Sequence, residues 1–432
     1  MHDLLSGAGR LLEGAVDVRR RIHSNPELGL DLPATQQLVL EELDAIGLRG
    51  RTGVRCSSVV AQLEGPSNGP STLLRADMDA LEMPEDTGLP YASKVEGRMH
   101  ACGHDAHVAM LLGAARLLVE RRDRLPGRVV FMFQPGEEGH DGAKTMLDEG
   151  LLEDHGPFDQ AFALHISSLL PSGWLACRPG PMLASADEFH ITVTGRGGHA
   201  SMPHDAVDPL PAACEIVTAL QSMVTRRVPA FDPAVVTVST IHGGTATNVI
   251  PERVVLGGTI RAVSDRSRDL VLAAAAEVAS HIAAAHHCEA SFDLEPHSYP
   301  VTVNDDAMAA RVMSVAGALV GSERAVVMPS PVMGAEDWSY VLRRTPGAMA
   351  FLGAAPPGIA QPAPNHSNRF VIDEEAMSVG IAMYAAMALS SPRASASPRA
   401  STSPGASTSP GASTSPGAST SPGASTSPRA SA

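Results

Sequence analysis

Residues 1–183 alternate short apolar runs with helical patterns, and this alternation limits the fold more than any other feature of the chain. The runs SSVVAQLEG, STLLRA, RVVFMFQ and QAFALH are typical of β-strands. AHVAMLLGAARLLVE and ATQQLVLEELDAIG have the apolar spacing of helices, and Gly47 suits the end of the second one. Strands that alternate with helices form an open, largely parallel sheet covered on both faces, so the pattern predicts an α/β fold.

The pattern changes at about residue 184, and the 432-residue length already favours two domains. The segment ADEFHITVTG reads as a strand and AVDPLPAACEIVTALQSMV as a helix. Two further strands, a long helix and the strand CEASFDLE follow. This β-α-β-β-α-β order is ferredoxin-like. We therefore predict an inserted α+β lid domain at 184–298 and a discontinuous first domain at 1–183 and 299–390.

The C-terminal segment 391–432 has a composition unlike the rest of the chain. The unit ASTSPG repeats from Ala400 onwards, and Ser, Thr, Pro, Ala and Gly offer nothing apolar to bury. Such a segment cannot offset its ordering entropy and is predicted to be disordered. An inert tail is favoured over a phosphorylated tail or a spacer.

Charge and cysteine content restrict the partners and the compartment. The net charge is −15, and the three arginines of the last 40 residues leave the preceding body more acidic still. A nucleic-acid partner would need a positive surface, so none is expected. The start lacks the pattern of a signal peptide, and no apolar run approaches the roughly 20 residues of a membrane span. Five scattered cysteines favour reduced thiols, so the chain is predicted to be soluble and cytoplasmic.

The stretch HACGHDAH, residues 100–107, combines side chains that bind metals. A structural zinc site would need four Cys or His ligands in paired spacings, whereas this stretch has one thiol. Cys102 and His104 can converge on one ion, with further ligands from Glu138, His165 and His366 elsewhere in the chain. Thiolate, imidazole and carboxylate together suit Zn, Mn, Co or Ni better than Mg or Ca.

The adjacent carboxylates Glu137 and Glu138 follow the run RVVFMFQPG. Asp77 and His165 also stand at strand ends, where ligands bind in sheets of this type. Two neighbouring carboxylates repel each other unless a cation or a proton intervenes. One interpretation is that Glu137 and Glu138 are a solvated pair on the surface. The other is a division of roles, in which one carboxylate binds metal and the other is the general base that activates a metal-bound water.

Several motifs together resemble the amidohydrolase branch of the M20 metallopeptidases, which includes hippurate hydrolase, N-acyl-L-amino acid amidohydrolases and plant auxin-conjugate hydrolases. The motifs are RRRIHSNPELG, LLRADMDAL, MHACGHDAH, FQPGEEG, ALH, GRGGHASMPHDAVDP, GGTATNVIP, MGAEDW and NHS, in order over roughly residues 15–385. The resemblance implies a hydrolase with two divalent metal ions, a zinc-peptidase-like catalytic domain with a mostly parallel central sheet, and a ferredoxin-like lid.

The resemblance also implies a role for each candidate residue. The implied metal ligands are Cys102, His104, Glu138, His165 and His366, with Cys102 bridging the two ions. Glu137 would be the general base, and Asp77 would orient a ligand histidine. The substrate-facing lid residues would be His199, Asn248 and Arg261, with His199 or Asn248 stabilising an oxyanion and Arg261 pairing with a carboxylate. Arg261 could instead be a surface residue.

The function predicted from these residues is hydrolysis of the amide of N-acyl amino acids by a homodimer formed through the lid. Two alternatives remain. A dipeptidase or carboxypeptidase of the same superfamily is disfavoured by Arg75 together with Cys102, and an idle metal-binding scaffold is disfavoured by the presence of Glu137 and all five ligands. The acyl group, the amino acid, the metal and the subunit whose site His199 serves are left open.

Overall fold

The computed structural model describes residues 1–390, and the predicted disordered tail lies outside this range. The ten α-helices of the described range are α1 His2–His23, α2 Pro33–Asp44, α3 His104–Val119, α4 Gly142–Asp148, α5 Leu151–His155, α6 Pro209–Arg227, α7 Asp265–Ala285, α8 Asp306–Val320, α9 Ser339–Leu342 and α10 Met377–Leu389. The sixteen strands of that range are β1 Arg51–Thr52, β2 Val59–Glu64, β3 Ser71–Asp77, β4 Arg128–Gln134, β5 Gln160–Ser167, β6 Leu175–Cys177, β7 Gly180–Leu183, β8 Asp187–Thr194, β9 Gly198–His199, β10 Ala234–Gly243, β11 Val249–Ile250, β12 Arg253–Ala262, β13 Glu289–Leu294, β14 Thr302–Asn304, β15 Ala325–Val327 and β16 Gly347–Gly353.

An eight-stranded sheet in the order β1-β2-β4-β3-β5-β16-β6-β15 forms the centre of the fold. Its middle strands β4, β3, β5 and β16 run parallel to one another, whereas β2 and β6 pair antiparallel with β4 and β16. The four strands predicted from the first half of the sequence are β2 to β5 of this sheet. The predicted α/β fold with a mostly parallel sheet is therefore confirmed.

Both faces of the central sheet are covered, because its strands carry apolar side chains on both sides. Leu74 and Phe131 belong to a core that also contains buried residues of α1, α3, α8 and α10, whereas Leu73 and Val130 belong to a core with residues of α4 and α9. Helix α1 was not predicted from the sequence. Its buried residues recur at helical spacing, at Leu4, Ala8, Ala15, Val18 and Ile22, so the signal was present.

A second, four-stranded sheet, β10-β12-β8-β13, is antiparallel throughout and packs against α6 and α7. The elements follow the predicted β-α-β-β-α-β order. Strand β8 alternates buried and exposed side chains, and its buried residues Phe189, Ile191 and Val193 join a core separate from that of the large sheet. The limits of 184 and 298 for a lid domain stay a prediction. None of the helices within residues 1–390 has both the length and the apolar character needed to cross a membrane.

Candidate metal and catalytic site

The predicted metal ligands meet at the carboxyl edge of the central sheet. Cys102 and His104 lie where the chain enters α3, Glu138 follows β4, His165 is in β5, and His366 lies in a loop after β16. Cys102 belongs to two groups of possible ligands, one with His104 and His165 and the other with Glu138 and His366. Within each group the ligand atoms lie within 4.8 Å of one another. The thiol is thus the member that the two groups share.

Glycine at position 103 allows the loop between Cys102 and His104 to lie against β5. Its φ angle is +89°, in the left-handed region, and a Cβ atom there would come within 2.3 Å of Cγ2 of Ile166. The residue in this position therefore has to be glycine. Because the loop lies this close to β5, the side chains of Cys102 and His104 lie at the edge of the sheet.

The donor atoms of the cluster fit a divalent transition metal. Nε2 of His104 and Oε1 of Glu138 are buried and lack a well-aligned hydrogen bond in the described part of the chain, although Asp77 lies 3.5 Å from the first and His366 3.3 Å from the second. A cation between these atoms would satisfy them better. Cys102 and Glu138 also raise the pKa of His366 to about 10. The thiol and the carboxylate therefore stabilise positive charge at this position. Sulfur, nitrogen and oxygen donors together suit zinc-like ions.

The tautomers of the two central histidines follow from their partners. Nδ1 of His104 lies 2.9 Å from the carbonyl oxygen of Asp79, and Nδ1 of His165 lies 2.8 Å from that of Ile166. A carbonyl can only accept, so both Nδ1 atoms carry the proton and both Nε2 atoms are free to bind metal. Nε2 of His165 faces Sγ of Cys102 at 3.3 Å.

His107 is the last histidine of HACGHDAH and lies near the cluster, but both of its ring nitrogens are already hydrogen-bonded. Its Nε2 accepts the backbone N–H of Ile166 at 2.8 Å, so its Nδ1 is protonated and donates to Asp77 at 2.5 Å. Asp77 had been predicted to orient a ligand histidine. Its hydrogen bond goes instead to His107, and its closest approach to a proposed ligand is 3.5 Å, to Nε2 of His104. The hydrogen bonds of Asp77 therefore go to Arg75 and His107 and not to a proposed ligand.

Asp79 holds a proposed ligand histidine, although it does so through its backbone carbonyl and not through its carboxylate. Its carboxylate accepts the backbone N–H groups of Glu137 and Glu138 at 2.9 and 3.0 Å, and its carbonyl holds His104. Asp79 lies in the motif LLRADMDAL, but nothing in the motif distinguishes the two aspartates. The sequence analysis therefore missed this residue.

Glu137 is buried among carboxylates, in keeping with a proton acceptor. Burial and the neighbouring charges of Glu336, Glu138 and Asp337 hold the pKa of Glu137 well above its usual range. Arg75 offsets part of this negative charge, with ion pairs of 2.7 Å to Asp77, 2.7 Å to Glu336 and 3.1 Å to Asp337. Glu336 and Asp337 belong to the motif MGAEDW, to which the sequence analysis assigned no role.

The predicted lid residues fall into two separate places. Arg261 lines a cavity of about 620 Å³ together with Glu137 and the ligands Cys102, Glu138, His165 and His366. His199 and Asn248 line a different cavity of about 660 Å³, which shares no residue with the first. His199 lies in the short strand β9, which pairs with β11. Within one chain, therefore, only Arg261 of the three reaches the metal cluster.

Comparison with known proteins identifies the family of the chain. The model of peptidase family M20/M25/M40 matches residues 73–390. IAA-amino acid hydrolase ILR1-like 2 of Arabidopsis thaliana is 42% identical over 375 residues, which cover 86% of this chain and 84% of the relative. Thermostable carboxypeptidase 2 of Saccharolobus solfataricus is 38% identical over 86% of this chain and 94% of its own.

A solved structure gives the same result. The crystal structure of YXEP of Bacillus subtilis, described as a dinuclear metal-binding peptidase of family M20, aligns with a TM-score of 0.76 at 32% identity. The alignment covers 88% of this chain and 98% of that one. The resemblance seen in the motifs is thereby confirmed. The chain belongs to peptidase family M20/M25/M40 and is a metal-binding hydrolase of amide C–N bonds.

Proposed function

We propose that the chain hydrolyses N-acyl amino acids to a carboxylic acid and a free amino acid. The observation that carries this proposal is Arg261, a half-buried arginine in the cavity of the metal cluster. Among residues 1–390 it has no hydrogen-bond or ion-pair partner within bonding distance. A desolvated guanidinium of this kind suits the free carboxylate of an amino acid, which it can bind through two parallel hydrogen bonds.

The amide to be cleaved would lie between Arg261 and the metal cluster. Leu183, Val332 and Phe351 line the same cavity and offer an apolar wall for the acyl group. This wall favours acyl groups of the benzoyl or indoleacetyl kind as well as acetyl. The named activity of the Arabidopsis relative, hydrolysis of an IAA-amino acid, supports a substrate of this class.

The catalytic roles follow from the donor set and from Glu137. We assign Cys102, His104, Glu138, His165 and His366 to two divalent ions, with Cys102 shared between them. Zn, Mn, Co or Ni bound there would acidify water and polarise the acyl carbonyl. Glu137 would accept the proton of the attacking water and deliver it to the leaving amine. Burial and the neighbouring carboxylates raise its pKa, which makes its carboxylate a stronger base.

A substrate comparison tests the proposal. The apo-protein is reloaded with Zn, Mn, Co or Ni and assayed on acetyl-, benzoyl- and indoleacetyl-amino acids and on the same compounds with the carboxylate converted to an amide. Wild type should prefer the free acid, and Arg261→Met should lose that preference. Arg266→Met is the matched control, since Arg266 is exposed on α7 and lines neither cavity. A wild type that cleaves acid and amide equally well would contradict the assignment.

Carboxypeptidase activity is the second candidate, because the relative of Saccharolobus solfataricus has that name. It too requires a free carboxylate, so the acid-versus-amide comparison does not separate the two. Unblocked dipeptides do: a peptidase should cleave them at least as well as the matching N-acetyl amino acids, whereas an amidohydrolase should not.

We further propose that the enzyme is a homodimer and that His199 acts on the partner subunit's substrate. Nδ1 of His199 accepts the backbone N–H of Ser201 at 3.1 Å, so the neutral ring carries its proton on Nε2. The exposed ring can therefore donate to an oxyanion, but it lines a cavity away from the metal cluster of its own chain. The cytoplasmic location stays a prediction, supported by five free thiols.

A further inference from the structure

We infer that Tyr299 is a positioning residue for the loop that carries Glu137 and Glu138. Its hydroxyl donates to the carbonyl oxygen of Glu137 at 2.6 Å and accepts the backbone N–H of Gly139 at 2.9 Å. One hydroxyl thus joins the two sides of the tight turn on which the proposed base and the proposed ligand lie. The inference rests on the proposed roles of Glu137 and Glu138.

The position of Tyr299 in the fold gives these contacts their significance. Tyr299 lies after β13, in the segment that leads back from the smaller sheet to the central one. Its backbone pairs with Ala186, which lies just before β8, through hydrogen bonds of 2.9 and 2.8 Å. The two chain segments that enter and leave the inserted region are therefore bonded to each other here. The turn that carries Glu137 is fixed to that junction by one side chain.

Neighbouring side chains strengthen the attachment without contacting the turn of Glu137. The hydroxyl of Tyr340 donates to the carbonyl oxygen of Ser298 at 2.6 Å and lies 3.1 Å from Oδ1 of Asp141. Nδ1 of His297 lies 3.0 Å from Oδ2 of Asp141. The ring of Tyr340 packs edge-on against that of Tyr299, with centroids 6.2 Å apart. Tyr340 thus has similar chemistry and shares Asp141 with Tyr299, but its hydroxyl bonds to neither Glu137 nor Gly139.

Asp79 also holds this turn, through other backbone groups. It accepts the N–H groups of Glu137 and Glu138, while Tyr299 engages the carbonyl of Glu137 and the N–H of Gly139. Without the Tyr299 hydroxyl, the turn keeps the two bonds to Asp79 and its own bond of 2.8 Å from the N–H of Gly139 to the carbonyl of Glu137. Such support is what keeps catalytic groups in their productive geometry. We therefore expect loss of the hydroxyl to loosen the turn without unfolding the protein.

Tyr299→Phe tests this inference, with Tyr340→Phe as the matched control. In hydrogen–deuterium exchange of the chelator-treated protein, a peptide that contains Gly139 should exchange at least about fivefold faster in Tyr299→Phe, the effect of one lost hydrogen bond. Binding of Zn²⁺ should weaken by a similar factor. On the best substrate, kcat should fall while KM stays near the wild-type value. In Tyr340→Phe all three quantities should stay close to wild type.

The outcomes separate this inference from the proposed function. Exchange and zinc binding need no substrate, so a wrong substrate class would leave both differences between the variants in place. Wild-type exchange around Gly139 and wild-type zinc affinity in Tyr299→Phe would overturn the positioning role. Equal changes in both variants would also overturn it, because they would show a general packing effect of the aromatic pair.

Discussion

The backbone carbonyl of Asp79 accepts a hydrogen bond of 2.9 Å from Nδ1 of His104, and this contact directs the other ring nitrogen of His104 into the metal cluster. The side chain of the same aspartate accepts the N–H groups of Glu137 and Glu138. A single residue, Asp79, therefore fixes the orientation of a proposed ligand and the backbone of the loop that carries the proposed base and the second glutamate. Outer contacts of this kind commonly decide the affinity of a metal site.

Replacing Asp79 with asparagine should damage the site while the fold persists. Asparagine presents an N–H group where an oxygen now accepts a backbone N–H, so one of the two loop hydrogen bonds is lost and two donors oppose each other. We expect kcat/KM to fall by at least about tenfold, since an unsatisfied buried group costs about 1–3 kcal/mol. Steady-state kinetics and metal analysis measure the effect. Asp86→Asn, an exposed aspartate of the following loop, should be neutral.

The strands with a clear apolar pattern could be predicted from the sequence, but the short strands and the contacts around the site could not. Strands β2 to β5 are buried apolar runs, and β8 alternates, so local pattern is sufficient for both. The ion pair of Arg75 with Glu336 joins residues 261 positions apart, and no local pattern records it. The two aspartates of RADMD look alike in sequence. Only the fold shows that Asp79 holds the loop and that Asp77 bonds to His107.

Cys102→Ala should lose metal and activity together, because the thiol is common to both ligand groups. Cys102→Asp should retain part of both, since a carboxylate can also bridge two ions. Elemental analysis after dialysis, together with turnover, provides the measurement. An alanine variant with two tightly held ions and full turnover would remove the shared-ligand role.

The two glutamates should differ in what their loss does. Glu137→Gln should keep its metal and lower kcat by at least roughly 10²-fold, the low end for loss of a general base. Glu138→Gln should instead weaken metal binding. Metal titration and kinetics on both variants decide the assignment, and the reverse pattern would exchange the two roles.

The raised pKa of Glu137 adds a stability test of the same variant. A carboxyl whose folded pKa lies above its unfolded value binds more protons when folded, so stability falls as pH rises above the unfolded pKa of about 4.3. Glutamine removes this charge. The melting temperature of chelator-treated Glu137→Gln should therefore exceed that of wild type at pH 7, with the difference shrinking towards pH 4. A lower melting temperature at pH 7 would contradict it.

Removal of residues 391–432 should leave melting temperature and turnover nearly unchanged. The repeat offers no apolar side chain larger than alanine and proline, so it has little to bury against the body. Thermal unfolding and kinetics of a chain that ends at residue 390 provide the check. A fall of several degrees would show that the segment packs on the folded part.

His199 should act across a dimer interface. Its ring is exposed, it pairs with β11 beside Asn248, and its cavity shares no residue with that of the metal cluster, so in one chain it is remote from the bond to be cleaved. A second subunit can bring a partner's His199 to that bond. His199→Ala should lower kcat while the metals stay bound, because no proposed ligand contacts this ring.

Mixing two inactive variants tests this arrangement directly. A heterodimer of Glu137→Gln and His199→Ala chains contains one site with both groups intact if His199 acts in the partner's site, and none if it acts in its own. Recovery of up to about a quarter of the wild-type activity is expected after statistical exchange, since half of the dimers are mixed and each has one complete site. His204→Ala changes an exposed histidine of the same region and should itself be active. In a control mixture with Glu137→Gln, it takes the place of His199→Ala. Subunit exchange is verified by mass. If the exchanged mixture then shows no recovery, His199 acts in its own subunit's site. An active monomer would remove the need for the dimer.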